Sequence, residues 1–391
     1  MRARRILRWL SAIAIAVLLL TLLPVSAQAE IFSPEWGEST ELIGEQLDAL
    51  GRGDLMGWVP WEARHYLEGA ELYDLSLRTL MELTPGRFFP TLWRMFLDAL
   101  VRPLRTLAAM LAIILLCALL ETLRTSAWEN TISGVFQTVS VLCILTFIAH
   151  PILDLIMDTT NTIRQAAGFM IGFIPLFSAA LVSAGQPVTG ATYSLFLMGA
   201  CQLVAQVVAQ TLIPLMSIYL AICICGAFVP DLNIVQAAGG IKTAVSWTLG
   251  LLLTIFVALL SIQTMLSAGA DGVTVRATKF LIGNLVPMVG SVLSDGYMAA
   301  QGYLRLLKTT VGVYGVIVAA FIFLPTLIRV TIWYLLTKLV AMVGEIAGAG
   351  KVSIILRSCS NVLGVLISAI LCFALLFIVS TGIIMSTGMG I

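Results

Sequence analysis

Ionisable side chains are sparse in the long apolar body of this chain, and the richest stretch there runs from Asp271 to Lys308. That stretch holds Asp271, Arg276, Lys279, Asn284, Asp295, Arg305 and Lys308 amid apolar text. Charged groups in or beside a membrane are costly unless they are paired or wet, so such a cluster marks a functional site by default. Asp271 with Arg276 or Lys279, and Asp295 with Arg305, are the pairs that the spacing offers. The competing reading is a cytoplasmic loop with ordinary surface charges. A second set, His150, Asp154 and Asp158, recurs at i, i+4 and i+8 on one helical face. It has the spacing of a metal site or proton relay, but a helix surfacing into lipid headgroups carries the same pattern, and that is the preferred reading.

Other chemistry is excluded by what is missing. Gly344 to Lys351 (GEIAGAGK) looks like a phosphate loop, yet Glu345 stands at the first required glycine and Val352 where a magnesium-binding Ser or Thr belongs. There is no GxSxG, no HExxH and no CxxC. The seven cysteines all sit in apolar runs, as small packing residues do. No catalytic residue, metal site or cofactor is expected, and no enzyme activity. Gly168 with Gly172, and Gly344 with Gly348, have the spacing that lets helices approach closely.

The elements that position these residues follow from composition. Of 391 residues, 59% are hydrophobic and only 11% are charged; the net charge is +1 and the mean hydropathy +1.01. Soluble domains carry roughly 25% charged residues, so lipid is the main solvent here. A net charge near zero offers no basic field for nucleic acid, and the apolar content excludes disorder.

Residues 1–29 have the layout of a cleavable signal peptide. Four arginines precede an apolar run, Pro24 breaks it, and Ala27-Gln28-Ala29 supplies the small residues that signal peptidase needs, with cleavage expected between Ala29 and Glu30. Residues 30–103 then form an acidic extracytoplasmic segment of short helices. It ends in an amphipathic stripe (Phe89, Leu92, Trp93, Phe96, Leu97, Leu100) suited either to the headgroup layer or to packing on its neighbours.

Residues 104–391 form the multi-spanning domain. Spanning-length runs are Leu104–Leu123, Val135–Met157, Val188–Gln210, Thr211–Pro230, Thr243–Leu266, Val311–Ile328 and Val362–Met385, with Val330–Gly344 a weaker eighth. Two further stretches, Ala166–Gly185 and Phe280–Asp295, carry glycines and a central proline. Arg164, Gly172 and Pro175 in the first match Arg276, Gly283 and Pro287 in the second, with a one-residue slip, and both close on Ser-x-Gly. Interrupted helices in corresponding halves point to a translocation site, whereas chance similarity is the plain alternative. Making both stretches re-entrant puts Arg276, Lys279, Arg305 and Lys308 in the cytoplasm, as the positive-inside tendency prefers. The expected fold is therefore an all-α polytopic membrane protein of about seven or eight spans, with two re-entrant hairpins forming an inverted repeat.

Three pieces of the chain resemble the stage III sporulation protein AE family of endospore-forming bacteria. They are Asp271-Gly272-Val273-Thr274-Val275-Arg276-Ala277-Thr278-Lys279-Phe280, Gly283-Asn284-Leu285-Val286-Pro287, and Leu307-Lys308-Thr309-Thr310-Val311-Gly312. The likeness extends to the leader, the exported segment, the apolar body and the length. It implies a multi-pass protein of the mother-cell membrane facing the forespore. It further implies a permease-like, non-enzymatic component of a channel or secretion-like complex with the other stage III sporulation A proteins and stage II sporulation protein Q. A stand-alone secondary transporter or facilitator for a small solute is the alternative, weakened because most spans contain no acidic residue.

Overall fold

The computed structural model describes residues 57–69, 85–124, 130–228, 234–285 and 290–386. These are helical apart from tight turns, with no strand among them. In chain order the helices are α1 (Trp61–Gly69), α2 (Pro85–Arg124), α3 (Asn130–Ser183), α4 (Pro187–Val207), α5 (Ile213–Phe228), α6 (Ile234–Leu285), α7 (Gly290–Ile346) and α8 (Gly350–Ser386).

Helices α3, α6, α7 and α8 run for 54, 52, 57 and 37 residues. At ~1.5 Å per residue that is about 55 to 85 Å, against a hydrocarbon layer of ~30 Å. Among the described residues six segments are long and apolar enough to cross a membrane: Trp93–Leu116, Val141–Ser183, Pro187–Gly226, Ala238–Thr278, Leu304–Ile346 and Gly350–Ser386.

Several expected spans are thus halves of one rod, which corrects the count of seven or eight. Leu104–Leu123 continues the aromatic stripe without a break in α2, through Pro90 and Pro103. Val330–Gly344 continues Val311–Ile328 through Pro325. Ala166–Gly185 was expected as a hairpin, yet residues 166–183 continue the helix that carries Val135–Met157, with Pro151 and Pro175 inside α3. A proline costs one backbone bond and a clash four residues back, which neighbouring helices and local adjustment absorb in membrane proteins. Val188–Gln210 and Thr211–Pro230 likewise join through one π-turn, Val208–Leu212, where Ile213 N–H donates to Val208 O. The wider turn lies just before Pro214, where an α-helical register would set the ring against Gln210 O.

The reversal near the first stretch comes at Ala184–Gln186. Gly185, at φ 78°, takes the left-handed conformation; its N–H donates to Val182 O and that of Gln186 to Leu181 O. This is the Schellman pairing of a helix C-terminus. The α7–α8 turn repeats it: Gly348 has φ 79°, its N–H donates to Glu345 O, and that of Ala349 to Gly344 O. The glycine-rich text at 344–351 is a helix stop.

The two stretches of the expected inverted repeat differ where both are described. Ser183–Gly185 closes a helix, whereas Ser294–Gly296 lies inside α7. Most of α3 from Ala166 to Leu181 is buried, with Pro175 exposed, but Phe280 on α6 is 68% exposed. The second stretch is split between the end of α6 at Leu285 and the start of α7 at Gly290. Its centre, with Pro287, lies outside the described residues.

The core is the antiparallel trio α3, α7 and α8. Thr162 and Thr326 hydroxyls meet at 2.8 Å, and Asp158 pairs with Arg329. Ser353 Oγ donates to Ala341 O at 3.0 Å, and Arg357 pairs with Glu345. Phe169, Phe173 and Phe177 stack along α3 with centroids 5.6 Å apart, and Phe377 of α8 meets Phe173 edge-on at 5.3 Å. Gly315 of α7 sits under Phe173, where any Cβ would collide with the ring. Lipid tails are as apolar as these side chains, so close packing, more than burial, selects this arrangement.

Candidate functional site

The buried face of α6 changes character along its length. Val245, Leu249, Phe256 and Leu260 give way to Thr264, Ser267 and Asp271, all covered by neighbouring helices. Asp271 is 3% exposed, and its carboxylate reaches across to the start of α4. There Val188 N–H donates to Oδ1 at 2.9 Å and Thr189 N–H to Oδ2 at 2.8 Å.

The local sequence accounts for this arrangement. A helix begins with N–H groups that have no partner within it. Pro187 removes one such donor, and the N-cap residue Gln186 makes no side-chain cap bond. Asp271, from another helix, takes the next two, and its negative charge also opposes the positive end of the α4 dipole. The Gln186 side chain turns to α7 instead, accepting from Lys308 Nζ at 3.1 Å. Lys308 is 3% exposed and lies in the fields of Asp271 and Arg305. One buried carboxylate and one buried ammonium therefore tie the α3–α4 turn to α6 and α7.

Polar groups continue into the core at this end. Tyr193 of α4 and Thr381 and Ser380 of α8 are fully covered, and both hydroxyls lie beside the Tyr193 phenol. The phenol ring abuts Phe177 edge-on at 5.3 Å. The phenylalanine stack thus begins where the polar end stops.

Of the residues expected to act here, Asp271 is central, but its partners are backbone N–H groups and the field of Lys308, with Arg276 pointing outward on α6. Arg305 is half-buried next to Lys308. Arg164 and Pro175 are exposed on α3. Gly172 lies under the Trp58 indole, close to where Gln165 Nε2 donates to Glu62 Oε2 at 3.4 Å and seats α1. Lys279, Asn284 and Asp295 lie on helices, but their side chains, like Pro287 and the cleavage site Ala29–Glu30, fall outside the described residues. The His150 face divides: His150 Nδ1 sits 3.0 Å from Asp154 Oδ2, while Asp158 turns to Arg329. Among the described residues no group of three His, Cys, Asp or Glu could hold a metal.

Sequence reasoning missed a second polar knot. Lys242 Nζ of α6 donates to Asn361 Oδ1 of α8 at 2.6 Å, and Asn361 Nδ2 donates to Tyr219 OH of α5 at 3.1 Å. Its only sequence signal is one lysine and one asparagine at the ends of long apolar runs.

A family model described as Stage III sporulation protein AE matches residues 71–388. The chain is similar to Stage III sporulation protein AE of Bacillus subtilis (strain 168), at 26% identity over 391 residues, covering 95% of this chain and 97% of that protein. No solved structure matches it.

Proposed function

This chain belongs to the stage III sporulation protein AE family, and we propose on that premise that it is the permease-like membrane subunit of a complex joining mother cell and forespore. Its companions in this reading are the other stage III sporulation A proteins and, through them, stage II sporulation protein Q. The protein sits in the mother-cell membrane that faces the forespore, with its N-terminal segment outside the cytoplasm. The observation that carries the reading is the extent of the family match, which takes in all six long apolar helices.

The reading is of a conduit wall or gate, with described polar groups placed at a helix start and between helices. The site that we assign to gating or packing comprises Asp271, Arg305 and Lys308, with Arg276, Lys279, Asn284, Pro287 and Asp295 at its margin, and Arg164, Gly172 and Pro175 along α3. Affinity purification of the tagged protein from sporulating cells tests the reading. Recovery with the companion proteins is expected, and recovery alone would defeat it.

A stand-alone transporter for a small solute is the second reading, favoured by the buried Asp271 and Lys308. It predicts solute flux into liposomes that contain only this protein.

A further inference from the structure

Helix α4, the π-turn and α5 form one membrane-crossing segment, Pro187–Gly226, of 40 residues and without a charged side chain. Its inner face packs on α3, α6 and α8 through Leu197, Cys201, Val204, Val208 and Leu212. The outer face ought to be as apolar, because lipid tails neither give nor accept a hydrogen bond. Instead it carries Gln202, Gln206 and Gln210 at i, i+4 and i+8, all three exposed. Thr211 is exposed beside the last of them. Neither the three amides nor the Thr211 hydroxyl has a hydrogen-bond partner among the described residues.

A hydrocarbon layer takes up ~20 residues of helix. Any such length cut from Pro187–Gly226 contains at least one of these glutamines, and a central one contains all three. The exposed face is apolar on either side of them, with Leu195 and Gly199 before and Pro214, Ile218 and Ala221 after. The stripe thus interrupts a lipid-facing surface instead of ending one. Polar side chains at membrane depth are costly there unless another helix answers them.

We infer that this face is a pairing surface for a second copy of the chain, with the glutamine stripe of one copy laid against that of the other. The chemistry of the stripe selects the occupant. A carboxamide offers two N–H donors and an accepting oxygen, so the complement of one glutamine ladder is another. With no charge on the segment, nothing here calls for a partner helix that brings a counter-ion. Both copies enter the membrane in the same sense. A two-fold axis along the membrane normal therefore sets α4 parallel to its mate and Gln206 opposite Gln206. Amide hydrogen bonds between helices hold such pairs together, and small residues let the two backbones approach. Gly199 supplies the small residue: it is exposed three residues before Gln202, and a Cβ added to it would meet nothing within 4 Å. This inference goes beyond the complex-subunit reading and does not rest on it, since pairing is tested in cells that lack the companion proteins.

Gln206→Cys, in a chain that also carries Cys117→Ser, Cys143→Ser and Cys225→Ser, is produced in a non-sporulating host and oxidised in its membranes with copper phenanthroline. A disulfide-linked pair of chains is expected, at a yield at least ten-fold above that of Ile262→Cys, which sits on the exposed side of α6. A yield no higher than this control would overturn the pairing surface, and so would adducts with host proteins alone. The combined variant Gln202→Leu, Gln206→Leu and Gln210→Leu gives a second sign. All three positions face outward, so the packing within one copy is untouched. In lipid vesicles, with copies counted by single-molecule photobleaching, the variant is expected to need at least about ten-fold more protein per lipid to pair. Pairing at the wild-type ratio would overturn the stripe as its cause.

Discussion

Replacing Asp271 by alanine strikes the node at its centre, and the cost follows from the bonds that are lost. Two backbone N–H groups at the start of α4, from Val188 and Thr189, lose a charged acceptor. Hydrogen bonds to charged groups contribute ~1.5–3 kcal/mol each. Lys308, 3% exposed, also loses the favourable field of the Asp271 carboxylate. These terms overlap, so the expected loss is about 3–5 kcal/mol, not their sum. Asp271→Asn keeps one acceptor and should fall about midway. Arg276→Ala, on the exposed side of the same helix, should stay within about 0.5 kcal/mol. Pairing Asp271→Ala with Lys308→Met also removes the ammonium whose burial the Asp271 field offsets and should recover at least ~1 kcal/mol relative to the single variant. Intrinsic tryptophan fluorescence on heating in detergent reads all four, since the chain carries eight tryptophans. A fall of about 5 °C or more is expected for Asp271→Ala. If Asp271→Ala and Arg276→Ala unfold together, Asp271 does not cap α4 and the node is ornamental.

Two further outcomes come from the packing. Gly315→Ala drives a methyl group into the Phe173 ring, which should cost ~1–3 kcal/mol, and adding Phe173→Leu should return part of it; if the glycine variant is as stable as wild type on heating, α3 and α7 do not meet there. Asn361→Ala leaves Lys242 and the Tyr219 hydroxyl without their shared partner and should cost ~1–3 kcal/mol, whereas Asn361→Asp, which keeps an acceptor for the lysine, should cost less.

Composition alone made the class of protein legible, because 11% charge over 391 residues cannot clothe a soluble surface. Asp271 was legible as well, being an acid stranded in apolar text. Its partners were not: Val188 and Thr189 lie more than eighty residues away and act through backbone groups, which leave no mark on residue type. Neighbouring charges such as Arg276 therefore looked like the answer. The count of spans failed for a related reason. A window of bilayer length divides a rod at polar residues such as Asp158 to Arg164 or Arg329, and Pro175 made one of the pieces look like a hairpin although membrane helices carry proline without stopping; the true stop after Ser183 needed only Gly185 in a left-handed turn. The resemblance between the two glycine-bearing stretches was one of letters. Residues 166–181 bury most of their side chains against other helices, while α6 near residue 280 shows its phenylalanine to the outside.

Helix α8 follows both α3 and α7 in the chain and is central to the bundle: Phe373 and Phe377 fill the space between those two helices. Synthesis runs from the N-terminus, so the ribosome delivers this keystone after both of the rods it joins. Until residues 350–386 emerge, the nascent protein must keep an open apolar groove that includes Phe173, with only lipid or an insertase to line it. A message truncated anywhere before that helix would leave the earlier rods without their common partner, however completely each had entered the bilayer.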